Sequence, residues 1–292
     1  MPARLAAHPR TAPLGAHLAA APGMDLCLHW LGQAGFVIEG AGKRLVIDPY
    51  LSDSLARKYA GRLYPHQRLM AAPVGSLELG SVDLVLSTHQ HTDHMDPDTL
   101  APLMAQQPHL KLVAPRAARE EALRRARVDD TRLHLVEAGE RIVPIPGIAV
   151  TATRAAHESL ERDADGNHRF LGYVIEIAGC RIWHAGDTVP FDGMVAEVAA
   201  LKPDIALLPV NGRSATLLAN GVPGNLALDE AIAVGRDVGA GAIIAHHFGM
   251  FDFNTADPTA IDQAATQLAK SGDGPMLFRA ALETAYRREP NP

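Results

Sequence analysis

The sequence is poor in cysteine and has neither a basic block nor a long apolar run, and each shortage closes off a class of protein. Only Cys27 and Cys180 occur in 292 residues, far apart and outside any C-x-x-C pair. They read as reduced, buried thiols of a cytosolic protein. No apolar window reaches the length that spans a bilayer, so no membrane partner is expected. The formal net charge is −6, with a pI near 6.1. Without clustered Lys and Arg to meet phosphates, a dedicated nucleic-acid binder is excluded. Nor is there a Ser/Gly/Pro linker or an internal repeat to divide the chain. The first 23 residues, rich in Ala and Pro, are broken by Pro13 and Gly15. They read as an N-terminal tail or arm rather than a targeting peptide. Residues 24–292 then read as one domain, with a cytoplasmic location expected.

What the chain has in excess is histidine, fourteen in all. Imidazole is the commonest protein metal ligand and proton shuttle. Hydrophobic residues make up 47% and charged residues 21%, a globular composition. Apolar runs such as VDLVLST, IAVTATRAAH, FLGYVIEIAG, IALLPV and GAIIAHHF predict strands. RAAREEALRRAR, LDEAIAVGRDVG and PTAIDQAATQLAKSG predict helices between them. A hairpin is expected around Gly40–Gly42. Strands interleaved with helices indicate an α/β layered domain. Residues 52–73 carry Arg57, Lys58, Arg62 and Arg68 without clean periodicity, and read as an excursion over the surface.

The stretch LSTHQHTDHMDP comes directly after a buried strand and places His89, His91, Asp93 and His94 within six positions. Open α/β sheets present their sites at strand carboxyl ends. Four imidazole and carboxylate donors there suit Zn, Mn or Fe; the bland alternative is a solvated His-rich loop. Further apolar runs end in His157, Asp187 and the pair His246–His247, which predicts convergence on one rim. Asp48, after RLVI, is expected to orient a ligand histidine or to close a strand-end turn. Asn211 and Arg213, in LLPVNGR, are candidates for holding substrate, Arg213 by a bidentate contact to phosphate or carboxylate. For Arg213 the competing reading is a solvated surface side chain. His29, His66, His134, His168 and His184 lack companions at ligand spacing, His184 being the closest to an exception. Asn225 reads as a cap for a helix starting near Leu226.

The H-x-H-x-D-H motif, the isolated His157, AGDT around Asp187 and a histidine after IIA together resemble the metallo-β-lactamase superfamily. HWLGQAGFVIE, VIDPYLSDS, LLPVNGR and HHFGMFDFNTADP are similar to the branch that contains the L-ascorbate-6-phosphate lactonases. The resemblance implies an αββα sandwich, two mixed sheets face to face with helices outside. It implies two divalent metal ions per chain: one on His89, His91 and His157, the other on Asp93, His94 and His247, with Asp187 bridging. His246 is then a supporting or packing residue. Such a pair of cations, about 3.5–4 Å apart, activates a water and clamps a developing oxyanion. The expected reaction is hydrolysis of a small cyclic ester, a lactone or sugar-phosphate lactone, with Asp93 and Asp187 as the catalytic carboxylates. A phosphodiesterase is the alternative within enzymes, and a non-catalytic metal- or ligand-binding scaffold the alternative outside them. The expected partner is a small anionic substrate, with homo-oligomer formation open.

Overall fold

The computed structural model describes residues 4–289. Two mixed sheets pack face to face between layers of helices, the αββα sandwich that the resemblance implied. The first sheet contains β1 (Leu5–Pro9), β2 (Cys27–Gly32), β3 (Gly35–Gly40), β4 (Lys43–Ile47), β5 (Leu84–Leu86), β6 (Lys111–Pro115) and β7 (Leu133–Val136). The second contains β8 (Arg141–Ile145), β9 (Ile148–Arg154), β10 (Leu171–Ile177), β11 (Cys180–His184), β12 (Ile205–Pro209), β13 (Ala242–His246) and β14 (Met276–Arg279). The final strand, β15 (Thr284–Arg288), returns to the first sheet and lies between β1 and β2.

Period-two alternation builds the core. On β2 and β3, Leu28, Trp30, Phe36 and Ile38 face the second sheet, meeting residues such as Tyr173, Ile175 and Ile182. Val37, Val46, Val85 and Leu112 point the other way, beneath the helices Pro97–Gln106 and Arg119–Ala126. The β3–β4 hairpin turns at Gly40–Lys43, as expected. From β4 to β7 the first sheet runs parallel, as does the second from β11 to β14. The carboxyl ends of these strands make the shared edge on which the site is built.

The N-terminal segment, expected as a tail or an arm, is an ordered arm joined to the first sheet. Strand β1 pairs antiparallel with β15, and the helix Leu14–Leu18 covers the outer face of the first sheet. Arg44, wholly buried, explains why that helix stays down. Its guanidinium donates to Glu39 at 2.8 Å and to the carbonyls of Leu18 at 2.8 Å and Ala20 at 2.9 Å. His17, on the same helix, meets the other Glu39 oxygen at 2.8 Å. A buried charge is tolerated only when paired this completely. Both thiols are buried and unpaired, and burial pushes Cys27 up to about 11 and Cys180 up to about 12.

Candidate metal centre

Each expected ligand stands just past the end of a strand. His89, His91, Asp93 and His94 occupy the turn after β5; His157 comes after β9, Asp187 after β11, and His247 after β13. Their donor atoms come together. Those of His89, His91 and His157 lie within 4.8 Å of one another, as do those of Asp93, His94 and His247. Asp187 stands between the two triads. One of its oxygens is 3.3 Å from His94 Nε2; the other is 3.5 Å from His157 Nε2 and 3.2 Å from His247 Nε2.

The local backbone is built for this convergence. Gly186, with φ +65°, precedes Asp187, and a Cβ there would lie 2.4 Å from the Leu171 carbonyl oxygen. Gln33, Asp48 and His247 also adopt positive φ, at 50°, 46° and 65°. Left-handed backbone at non-glycine residues is costly and concentrates where geometry serves a site. His247 turns at this point to face Asp187, while His246, its neighbour, points into the core. His246 packs edge-on against Phe36 and beside His184, with ring centroids 5.3 and 5.1 Å away.

Hydrogen bonds behind the ligands fix their tautomers. Asp48, fully buried, accepts from His94 Nδ1 at 2.7 Å, from the Thr88 backbone N–H at 2.7 Å and from the Thr88 hydroxyl at 2.6 Å. Thr88 Oγ1 is then free to accept from His89 Nδ1 at 3.1 Å. His157 Nδ1 donates to the Gly224 carbonyl at 3.1 Å. All three rings therefore turn a bare Nε2 toward the centre, the arrangement that metal-ligating histidines need. His89 Nε2, His94 Nε2 and Asp187 Oδ1 are buried without any hydrogen-bond partner. Such orphaned atoms are costly in a folded protein, and a cation at the centre would satisfy them.

Electrostatics point the same way. Burial holds His89 well below the usual imidazole range, lowers His91 and takes His157 down to about 4. Neutral imidazoles are the ligating form. Burial also opposes a charge on His94, but Asp187, Asp48 and Asp93 outweigh it and raise that pKa well above the ordinary value. Carboxylates that favour a proton on His94 favour a metal ion in its place. Burial works against ionisation of Asp187 too, yet His247 and His94 keep it well below the carboxylate range.

Two expected substrate residues lie elsewhere. Arg213 is locked to Glu230 by a two-pronged pair at 2.5 and 2.7 Å, so its fork is already filled. Asn211 lies behind the pocket wall, donating to Asn254 at 2.8 Å and accepting from Asn225 at 3.0 Å. Asn225 is thus committed to Asn211 and is not a helix cap; the helix Leu228–Asp237 begins after Ala227, whose N–H is taken by Glu230. Beside the candidate ligands, the pocket wall includes Gln33, Lys58, Tyr59, His66 and Asn254, to none of which the sequence reading gave a site role. Gln33 donates to Asp93 at 2.9 Å. Its one sequence signal is a lone amide between Gly32 and Ala34 in an otherwise apolar hairpin. His184 takes a supporting part, donating to the Ala34 carbonyl and accepting from the Gly186 N–H.

Another cluster, His17, His29 and Glu39, is equally tight. It sits beneath the N-terminal helix, where Arg44 holds Glu39 and Arg10 and Arg287 add positive charge. Those guanidiniums oppose a second cation, so this group serves packing.

Facing sheets with a nest of seven His and Asp donors at their common edge define the metallo-β-lactamase fold. The chain belongs to that superfamily: a family model described as a beta-lactamase superfamily domain matches residues 43–248. It is 31% identical over 235 residues to a UPF0173 metal-dependent hydrolase of Thermoplasma acidophilum, covering 80% of this chain and 88% of that one. A UPF0173 metal-dependent hydrolase of Polynucleobacter asymbioticus is 34% identical over 199 residues, which span 63% of this chain and 64% of the relative's length. Among solved structures, a metallo hydrolase of Ignicoccus hospitalis has a TM-score of 0.66 at 20% identity, covering 91% of this chain and 99% of that one. An isothiocyanate hydrolase from Delia radicum gut bacteria has a TM-score of 0.66 at 20% identity, covering 89% and 98%. These two likenesses concern the fold. Among the described residues no helix is long and apolar enough to cross a membrane.

Proposed function

We propose that the protein is a metal-dependent hydrolase holding two divalent cations, one on His89, His91 and His157 and one on Asp93, His94 and His247, with Asp187 shared. The carrying observation is the set of bare, buried donor atoms, His89 Nε2, His94 Nε2 and Asp187 Oδ1, on three residues whose donors lie within 4.8 Å of one another. When bound, the cations supply a nucleophile from water at neutral pH and positive charge for a developing oxyanion. Zn and Mn both suit this donor set, as does Fe.

The chain's own residues do the rest. Asp187, reaching both triads, sets the spacing between them and offsets part of their mutual repulsion. Asp93 lines the pocket and is oriented by the Gln33 amide, so its carboxylate would be available to accept a proton if the second cation is weakly held. Asp48 and Thr88 keep His94 and His89 in their ligating tautomers. The substrate is a small cyclic ester, a lactone or sugar-phosphate lactone first. What supports that choice is the similarity of HWLGQAGFVIE, VIDPYLSDS and HHFGMFDFNTADP to the lactonase branch, and the names of the curated relatives support hydrolysis. A scaffold that had lost its chemistry would be expected to have lost donors, whereas the full set converges here.

The test is elemental analysis of the purified protein together with turnover of a panel of lactones and phosphodiesters, before and after chelation. About two metal ions per chain and chelator-sensitive lactone opening are expected. Full metal loading with no turnover of any ester would overturn the hydrolase reading, and phosphodiester cleavage alone would move the substrate class.

A further inference from the structure

The metal pocket opens into a groove whose walls are residues 58–66 on one side and 220–222 on the other. Lys58, Tyr59, His66, Gly221 and Val222 line both the pocket and the groove, so the two are continuous. Lys58 ends the short helix Ser54–Lys58 and stands where they meet. Its ammonium lies 3.5 Å from Thr92 Oγ1, between the ligands His91 and Asp93, and 5.0 Å from the Tyr59 ring centroid.

Among the cations of this stretch, Lys58 is unusual in what it does not touch. Arg57 is paired with Asp98, and Arg68 is spent on the carbonyls of Tyr50 at 2.8 Å and Met70 at 3.1 Å. Arg213, the side chain expected to bind an anion, is closed by Glu230. Among the described residues no carboxylate lies within 4.0 Å of the Lys58 ammonium or the Arg62 guanidinium, and none lines the outer groove. An unpaired cation beside a metal motif, in a groove free of acids, attracts anions and concentrates them there.

Aromatic side chains gather where the groove meets the pocket. The His66 ring stacks on Tyr59 at 4.3 Å and 25° and is held edge-on by Phe251 at 5.1 Å and Phe253 at 4.8 Å. Its Nδ1 donates to the Tyr64 carbonyl at 2.7 Å, and its backbone takes φ +52°, so the ring is fixed at a conformational cost. Aromatic side chains at a pocket mouth give the apolar part of a substrate a surface to lie against.

We infer that this groove is an anion subsite, in which Lys58 holds a carboxylate or phosphate of the substrate beside Thr92 while the ring that carries it rests on Tyr59 and His66. The inference rests on the hydrolase reading and narrows it to esters bearing an anionic group close to the scissile bond. Losing a charge-assisted contact of this type weakens binding by about 10-fold to 100-fold.

The probe is phenylphosphonate, which carries an anion and a flat ring and has no ester to cleave. Its affinity for the metal-loaded protein is measured by calorimetry for wild type, Lys58→Met and Lys58→Arg, with methylphosphonate and neutral benzamide in parallel. Lys58→Met is expected to weaken phenylphosphonate at least tenfold at unchanged metal content, Lys58→Arg to restore most of it, and benzamide to be indifferent to either change. In turnover, KM for phosphorylated or carboxylated lactones should rise in Lys58→Met and KM for uncharged lactones should hold. Equal phosphonate affinity in wild type and Lys58→Met would overturn the subsite, even with lactone hydrolysis intact. Lys58-dependent phosphonate binding without ester turnover would sustain the subsite and sink the hydrolase reading instead.

Discussion

Replacing Asp48 by Asn changes one oxygen into an amide and should weaken metal binding at His94. The Asp48 carboxylate accepts three hydrogen bonds, and one oxygen serves both the Thr88 hydroxyl and His94 Nδ1. In Asp48→Asn the amide oxygen can stay on the Thr88 N–H, which sets the NH₂ group against His94 Nδ1. Two donors then face each other. The ring relieves the conflict by moving its proton to Nε2, the atom that should ligate. Supporting bonds of this kind are worth about 10-fold to 100-fold in metal affinity, or about 1.4–2.7 kcal/mol. The backbone does not confound the test, because Asp48 sits at φ +46°, where Asn is well tolerated. Competition with a chelator of known affinity should resolve two binding steps in wild type, and in the variant one unchanged step and one weakened at least tenfold. A nitrogen-edited spectrum of the imidazoles should lose the His94 Nδ1–H resonance. Two unchanged steps in a folded variant would refute the claim that Asp48 sets the His94 tautomer.

Gly186→Ala should cost at least about 2 kcal/mol and displace Asp187, since the new methyl meets the Leu171 carbonyl at 2.4 Å in a left-handed backbone; metal titration and thermal melting read both effects. His29 is buried, and burial, helped by His17, Arg10, Arg287 and Arg44, lowers its pKa from 6.5 to about 3. The folded value lies below the unfolded one, so the stability is present above pH 6.5 and lost as pH falls toward 3. Between pH 7 and pH 5 this one group should remove about 2 kcal/mol. Denaturant curves of wild type and His29→Gln should diverge by that amount across the window, and parallel curves would refute the assignment. Arg213→Ala removes a pair whose members are 38% and 27% exposed, so it should change stability by less than about 1 kcal/mol. Its KM for anionic substrates should equal that of wild type, and a marked rise would return Arg213 to the site.

The convergence of the candidate donors was readable from the chain because they are tied to local pattern. A buried run such as VDLVL can only be a strand, and the residues just past its carboxyl end face the sheet edge. The same logic located His157, Asp187 and His247, and left the choice between His246 and His247 to the resemblance. The side chain that faces Asp187 is His247, and the φ of +65° that turns it there is set by tertiary contacts, not by period-two alternation. Residues 52–73 escaped for a related reason. Lys58, Tyr59 and His66 belong to no regular face, and their placement depends on Phe251 and Phe253, almost two hundred residues on. Arg213 misled because an arginine's partner is invisible until the helix Leu228–Asp237 brings Glu230 beside it. For the arm before residue 24, composition left open whether it is a free tail or ordered. Its hold on the sheet comes from Arg44 and from β15, neither of which its own residues announce.

The position of β15 governs the order in which the molecule can be completed. Its neighbours are β1 and β2, yet it follows every other described strand in sequence, and β1 pairs with no other strand among the described residues. On the ribosome, β2 to β7 can assemble as the chain emerges, while β1 waits with its backbone groups unmet. Contacts across so long a stretch are slow to form. The edge of the first sheet therefore closes only once β15 has emerged, and until then β1 and β2 present open strand edges that a chaperone can cover or a neighbouring nascent chain can capture.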